Sequence, residues 1–285
     1  MRRALSIIVF SLLFACCAAS AQDRPLQTTD AETLPPGTLR AQIGFDFLQD
    51  VDFPLSGLSG DLTSVGVLNV RMGIGKIAEV ELQGAIQNFL DVKSRGASFV
   101  PSLQLTGVNS THDTGDFALS TKIRILGEGK VRPSLAMRFG FIMPNSNQAR
   151  GIGPNTTNVF ALVALEKHLK GVKLFGNLGI EILQAPTALF SQNDVLIYGG
   201  AFSFPVRRRV HVVGEVAGRY SSRSINDALI GTESRSQARF GVQLLAGGFT
   251  WDFAGIAGLT AHDPKSGFTF GVSKDIKLFD YDRIR

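Results

Sequence analysis

The chain has 285 residues, of which 44% are hydrophobic and 19% charged, so it is long enough for a folded domain and too apolar for wholesale disorder. Its formal net charge is +5, but no basic block carries interleaved aromatic residues, which argues against a nucleic-acid partner. The four histidines lie in separate segments without metal-ligand spacing, and we expect no metal, no cofactor and no catalytic residue.

The N-terminus has the order of a secretory signal. Two arginines precede an apolar run and a group of small residues that ends at Ala21, which predicts a cleaved signal peptide over residues 1–21. The alternatives are an uncleaved membrane anchor and a lipoprotein signal at Cys16. Both cysteines, Cys16 and Cys17, lie in this stretch, so we expect neither disulfides nor thiol chemistry in the exported chain.

Residues 22–38 are polar, contain three prolines and show no alternation, which predicts an extended periplasmic leader. Twelve segments that alternate apolar and polar residues follow, as strands with one apolar face do. They lie at residues 39–47, 68–72, 80–86, 116–126, 135–141, 159–165, 174–182, 195–204, 212–220, 238–244, 249–253 and 268–272. The segments at 159–165 and 195–204 are apolar on both faces, so their orientation stays open.

The connections between these segments alternate in length. Those after every second segment are short, such as "GEGK" and "GG", whereas the others are mostly longer and rich in Asn, Ser, Gly and Pro. Short periplasmic turns and long outer loops are typical of a transmembrane barrel, and a soluble β-sandwich has no reason to keep this order. We therefore predict an all-β, up-and-down antiparallel barrel of about twelve strands in the outer membrane, over residues 39–279, with a tail at 280–285.

The last segment resembles the C-terminal signal that the outer-membrane assembly machinery reads. Lys265, Gly267, Phe270 and Val272 occupy the places of its polar residue, glycine and alternating apolar residues. We expect three partners: outer-membrane lipid, the barrel assembly machinery and a small-molecule solute that the sequence does not name.

The polar face of each strand would line the lumen of such a barrel. The predicted lumen-lining residues are Arg71, Glu79, Glu81, Lys122, Arg124, Arg138, Glu181, Glu215, Arg219 and Arg239. With Arg40, Asp46 and Asp252 on the same faces, the polar faces carry seven cations and six anions, a near balance that does not support a strongly selective ion pore. Two outcomes stay open: the charges pair and fill the lumen, or small residues such as Ala118, Ala136 and Gly179 leave a slender path.

Two motifs suggest chemistry and have simpler explanations. "GIGKIA" at 73–78 matches a dinucleotide-binding pattern, but a strand follows it where that site needs a helix. Ser110, His112 and His262 offer the groups of a lipid hydrolase, yet they lie in turn-like stretches and no nucleophile motif is present.

The leader resembles the start of the phenol-degradation MetA-pathway family of outer-membrane transporters. The matching residues are Arg24, Pro25, Thr29, Asp30, Ala31, Leu34, Pro35 and Gly37. The resemblance implies an outer-membrane barrel that passes small hydrophobic or aromatic molecules, and it carries over no individual functional residue. The expected function is a pore or transporter, with a non-transporting structural barrel and, less favoured, a lipid hydrolase as alternatives.

Overall fold

The computed structural model describes residues 24–187, 191–223 and 229–280, so the predicted signal peptide and most of the tail lie outside the described chain. Its strands are β1 (Thr38–Phe53), β2 (Leu58–Ile74), β3 (Ala78–Arg95), β4 (Ser110–Asp113), β5 (Phe117–Leu126), β6 (Ser134–Met143), β7 (Asn158–Leu169), β8 (Val172–Gln184), β9 (Gln192–Arg207), β10 (Val210–Ser221), β11 (Arg235–Ala246), β12 (Phe249–Gly258) and β13 (Ser266–Lys277). A single 3₁₀ turn, Gln148–Arg150, is the helical element of the described ranges, and no helix there is long and apolar enough to cross a membrane.

The strands form one closed antiparallel sheet. Each pairs with its neighbour in the chain, and β1 closes the ring by pairing with β13 from Thr38 opposite Lys277 to Gln49 opposite Ser266. The short β4 pairs with residues 88–91 of β3, beyond the part of β3 that pairs with β5. Because β4 and β5 share one position in the wall, the barrel has twelve strands, which confirms the predicted fold class.

One end of the barrel carries tight turns and the other carries longer loops. The connections at the first end are residues 75–77, 170–171, 208–209 and 247–248, with a seven-residue connection at 127–133. Gly247 and Gly248 both have positive φ, as a two-residue turn that matches the strand twist requires. The opposite connections have seven residues or more except the first, residues 54–57, because β1 and β2 extend further as a hairpin than their alternating segments indicate.

The outer face of the wall is apolar. Leucine, isoleucine, valine and phenylalanine side chains project outward from it, among them Ile43, Val163, Leu178 and Phe253 at 42–59% exposure. The polar residues between them are buried inside the ring, which reverses the arrangement of a soluble protein. An apolar exterior around a polar interior is the arrangement of a barrel whose solvent is lipid.

Burial shows which faces of β7 and β9 point inward, although the sequence left the orientation of these two strands open. In β7, Leu162 and Ala164 point inward while Val159 and Val163 point outward. In β9, Val195 points inward with Ala201 and Ser203, whereas Leu196 and Phe204 point outward. These two strands therefore present apolar side chains to both sides, and their inward ones pack against other parts of the interior.

An apolar core lies under the outer loops. Leu58, Leu90 and Val92 are buried at the loop end of β2 and β3, where Leu103 and Ile152 from two different loops pack on them. The loops at 96–109 and 144–157 are thus folded over the barrel wall and held there by hydrophobic contact.

Candidate functional site

The interior of the barrel is lined with charged side chains. All ten predicted lumen residues belong to the inward-facing sets of their strands. Six of them are buried, namely Arg71, Glu79, Glu81, Lys122, Arg138 and Glu215. Four are partly exposed, namely Arg124, Glu181, Arg219 and Arg239.

Neighbouring wall strands pair their inward charges. The Glu79 carboxylate lies 3.5 Å from the Arg71 guanidinium and 2.9 Å from the Lys122 ammonium. The Glu81 carboxylate lies 3.0 Å from the Arg138 guanidinium. A buried charge is tolerated only when it has such a partner, so this side of the wall neutralises much of its own charge.

A segment that precedes the first strand occupies the interior. Residues 24–37, called the lumenal segment below, approach wall residues on every side of the barrel, which is possible only for a chain inside it. The approached wall residues are Asp46 (β1), Gly73 (β2), Glu79 (β3), Lys122 (β5), Ala136 (β6), Glu166 (β7), Asn177 (β8), Gly199 (β9), Glu215 (β10), Arg239 (β11), Asp252 (β12) and Thr269 (β13). The leader predicted over 22–38 is therefore no external extension: its described part lies within the lumen, because the wall charges bind it there.

Arg24 anchors the segment at the end distant from β1. Its guanidinium lies 3.1 Å from the Asp46 carboxylate and 3.5 Å from the Asp252 carboxylate, and its side chain is 10% exposed. Gly271 provides the necessary space, since a Cβ there would overlap the guanidinium. One cation between two carboxylates, on β1 and β12, ties the segment to the wall on both sides of β13.

Asp30 anchors the middle of the segment. Its carboxylate is buried and lies 3.0 Å from the Lys122 ammonium and 2.9 Å from the Lys173 ammonium. Each lysine has a second carboxylate, Glu79 at 2.9 Å and Glu166 at 3.0 Å. Asp30 thus joins two wall ion pairs, from β3–β5 and from β7–β8, into one network across the lumen.

The backbone of the segment is bound as well. The N–H groups of Gln27 and Thr28 donate to the Glu215 carboxylate at 2.7 and 2.8 Å. Thr29 exchanges two hydrogen bonds with the Asn177 amide, at 2.8 and 2.7 Å. The same kind of bond runs from the Ala31 N–H to Glu166 and from the Leu34 N–H to Glu79. Side chains of the wall thereby replace the partner strand that an extended chain otherwise needs.

Small and apolar wall residues make room for the segment. Ala31 packs on Ala136 and Ala164, and Leu26 packs on Phe175 and Val213. The two outcomes left open by the sequence are a lumen filled by paired charges and a slender path beside small residues. Around Ala31 the segment fills the space that the small residues leave.

Two cavities remain in the lumen beside the segment. The first, about 310 Å³, lies between Gln27 and Thr28 and strands β7–β11, and the second, about 450 Å³, lies between Arg24–Thr29 and the wall around β2, β3 and β6. Glu181 and Arg219 line the first, while Glu81 and Arg138 line the second. Charged groups therefore reach both cavities, beside apolar residues such as Leu162 in the first and Ile142 in the second.

The three candidate residues of a lipid hydrolase do not form one site. His262 lies against Asp52 at 3.3 Å, in the loop between β12 and β13. Ser110 and His112 lie on β4, where His112 stacks on Phe89 with ring centres 5.9 Å apart. Within the described ranges no hydrogen bond joins Ser110 to either histidine, and no cluster of three or more metal-ligating side chains forms.

Sequence reasoning missed four residues that hold the segment. Arg24 and Asp30 belong to the predicted leader, and Glu166 and Lys173 lie one residue beyond the alternating segments at 159–165 and 174–182. In the structure, β7 and β8 extend past these segments toward the turn that joins them, and both side chains point inward. Extending the alternation of each strand to its turn would have placed both in the lumen.

Comparisons with known proteins locate the fold. No family model and no curated protein matches the chain. Among solved structures, an outer membrane channel from Pseudomonas putida F1 superposes with a TM-score of 0.61 at 15% identity, over 88% of this chain and 100% of that one. The fold is that of an outer-membrane β-barrel. The NanC porin also matches, with a TM-score of 0.49 and 10% identity over 85% of this chain and all of that one. At these identities the likeness concerns the fold and not the solute.

Proposed function

We propose that the protein is an outer-membrane channel for small solutes, and that its own N-terminal segment narrows the lumen. The observation that carries this proposal is a closed barrel with a lipid-facing exterior, a charged interior and two cavities beside the lumenal segment. The apolar band would contact outer-membrane lipid, and the last strand would serve the assembly machinery.

The lumen favours polar solutes. The resemblance of the leader to the phenol-degradation MetA-pathway family implies hydrophobic or aromatic molecules, and membership of that family is part of the proposal. Both cavities, however, are reached by charged groups such as Glu181 and Arg138, and Tyr198 is the aromatic residue that lines the first. Transfer of an apolar molecule into such surroundings gains little, whereas a solute with hydrogen-bonding groups finds partners.

Conductance in planar bilayers tests the proposal. We compare the intact mature chain with a variant that lacks residues 24–33 and keeps the rest of the sequence. The deletion removes Arg24 and Asp30 together with the hydrogen-bonded backbone, so we expect larger single-channel conductance and faster solute-driven swelling of liposomes. Heat-modifiable migration on a gel shows that each variant is folded.

The second candidate is a structural barrel that transports nothing, which the ion pairs across the lumen favour. It predicts that the intact chain is silent and that the deletion variant is silent too, although both are folded. If the two proteins have equal, nonzero conductance, the channel function is supported, but the proposal that the segment narrows the lumen is wrong.

A further inference from the structure

The cavity between the lumenal segment and strands β7–β11 is lined by charged side chains. Glu181 of β8 points into it, and among the described residues its carboxylate has neither a hydrogen bond nor an ion pair. Asp263 is 5% exposed and lines the same cavity. Its Oδ2 accepts from Ser236 and Thr260, but its Oδ1 is buried without a partner.

Two cations lie side by side at this cavity, two and three strands along the wall from Glu181. Arg219 of β10 and Arg235 of β11 are directly opposite in the strand register, where like charges destabilise a sheet. Within the described chain neither guanidinium forms an ion pair with a carboxylate. Arg219 donates to the carbonyls of Glu233 and Gly231, and Arg235 donates to the carbonyl of Asp52.

These carbonyl bonds fix the guanidinium groups and leave N–H donors free. Arg219 uses Nε and Nη2, and Arg235 uses Nη2, so each retains donors while both line the cavity. Two neighbouring guanidinium groups suit a carboxylate, which relieves their mutual repulsion and accepts from both.

The distance between the acidic and the basic side chains of the cavity sets the size of the ligand. Arg219 is opposite Ile197 of β9, and Gly179, two residues before Glu181, is opposite the same Ile197. One strand therefore separates Glu181 from Arg219, which puts their backbones on the order of 10 Å apart with both side chains reaching inward. The cavity volume of about 310 Å³ is at the small end of ligand pockets.

We propose that this cavity binds a small zwitterion, with its carboxylate at Arg219 and Arg235 and its ammonium group at Glu181. Ile197 of β9 lines the wall between the two charged ends and suits a short aliphatic linker, whereas Asp263 lies on the arginine side, where its Oδ2 accepts from the N–H of Ser236. The site rests on the proposed function only in that the zwitterion would be a solute of the channel. Binding itself requires only the folded barrel.

Saturation-transfer NMR on the folded protein in detergent micelles tests this site. The probes are 4-aminobutyrate as the zwitterion, butyrate as the anion and butylammonium as the cation. We expect 4-aminobutyrate to bind at least about tenfold more tightly than either single-charge probe, because each charge-assisted contact contributes about that much. Equal affinity for 4-aminobutyrate and butyrate, or binding of neither, would overturn the proposal.

Two substitutions separate the ends of the site. Glu181→Gln keeps the shape of the side chain and should weaken 4-aminobutyrate about tenfold while leaving butyrate unchanged. Arg219→Gln should weaken both. Asp194→Asn, on the exposed outer part of β9, is the control and should change neither. If the Glu181→Gln variant binds 4-aminobutyrate as tightly as the parent protein does, the proposed binding site is wrong, even where the bilayer experiment shows a channel. If 4-aminobutyrate binds but the protein does not conduct, the binding site stands and the proposed channel function is wrong.

Discussion

The substitution Asp30→Asn should release the lumenal segment. Asp30 is the one side chain of the segment that joins two wall ion pairs, with the Lys122 ammonium at 3.0 Å and the Lys173 ammonium at 2.9 Å. Breaking a buried ion pair costs about 3–5 kcal/mol when the remaining charge is left alone. Here each lysine keeps a glutamate, so the lower value of about 3 kcal/mol applies, which is about 150-fold in the equilibrium between bound and released segment.

A cysteine in the segment measures this equilibrium. The two native cysteines lie within the predicted signal peptide, so Thr28→Cys would be the only thiol of the exported chain. Thr28 is 2% exposed and its hydroxyl has no hydrogen-bond partner, so the exchange removes no bond. When release is faster than labelling, the maleimide rate follows the released fraction, and Asp30→Asn should raise it about 150-fold.

The matched control is Glu32→Gln. Glu32 pairs with Arg124 at 2.8 Å, but its side chain is 41% exposed, and an exposed pair contributes at most about 1 kcal/mol. Labelling of Thr28→Cys should therefore rise by no more than about fivefold in this background. An unchanged labelling rate in Asp30→Asn, in a barrel that is still heat-modifiable, would refute the claim that the two lysines hold the segment.

Three further predictions concern the wall and its turns. Leu178→Arg places a charge on the lipid-facing side of β8, where Leu178 is 59% exposed, and should cost about 2–4 kcal/mol and lower the folded fraction on a heat-modifiability gel, whereas Leu178→Ala should not. Gly271→Ala puts a methyl group against the Arg24 guanidinium and should speed labelling of Thr28→Cys, so an unchanged rate would contradict the anchor at Arg24. Hydrogen bonds from Lys167 and His168 lower the pKa of Glu128, in the turn between β5 and β6, to about 2. Its contribution to stability is therefore present above about pH 4.5 and is lost as the pH falls toward 2, and an NMR titration of its carboxyl carbon with a midpoint near 4.5 would disprove this.

Local periodicity was sufficient to predict the wall but not what the wall encloses. Each alternating segment predicts one strand and its two faces, and Lys122 and Ile125 of β5 fall on the inner and outer face as the alternation requires. The segments at 159–165 and 195–204 could not be oriented, because their inward side chains, such as Leu162 and Val195, are as apolar as their outward ones. Their inward side is apolar because it packs on the segment and on neighbouring lumen residues, a long-range relation that periodicity does not carry.

The lumenal segment escaped prediction because its conformation has no local cause. Residues 24–37 lack alternation and have little propensity for strand or helix. Their order arises from hydrogen-bond acceptors on four separate strands and a donor, Gln243, on a fifth. A polar, proline-containing stretch before a barrel is equally compatible with a free leader. Only the three-dimensional match between Arg24 and two wall carboxylates, and between Asp30 and two wall lysines, distinguishes the two.

The mode of binding explains why a charge change is the sharpest probe of the segment. Five backbone N–H groups of the segment donate to wall carboxylates and amides, and a side-chain substitution in the segment leaves those donors in place. Glu215, for example, accepts from the N–H groups of Gln27 and Thr28 whatever their side chains are. Side-chain changes in this stretch should therefore weaken binding most at Arg24 and Asp30, whose side chains form the buried ion pairs with the wall. Glu215→Gln should in turn loosen the segment although the substitution lies in the wall, since it removes the charge that strengthens two hydrogen bonds at once.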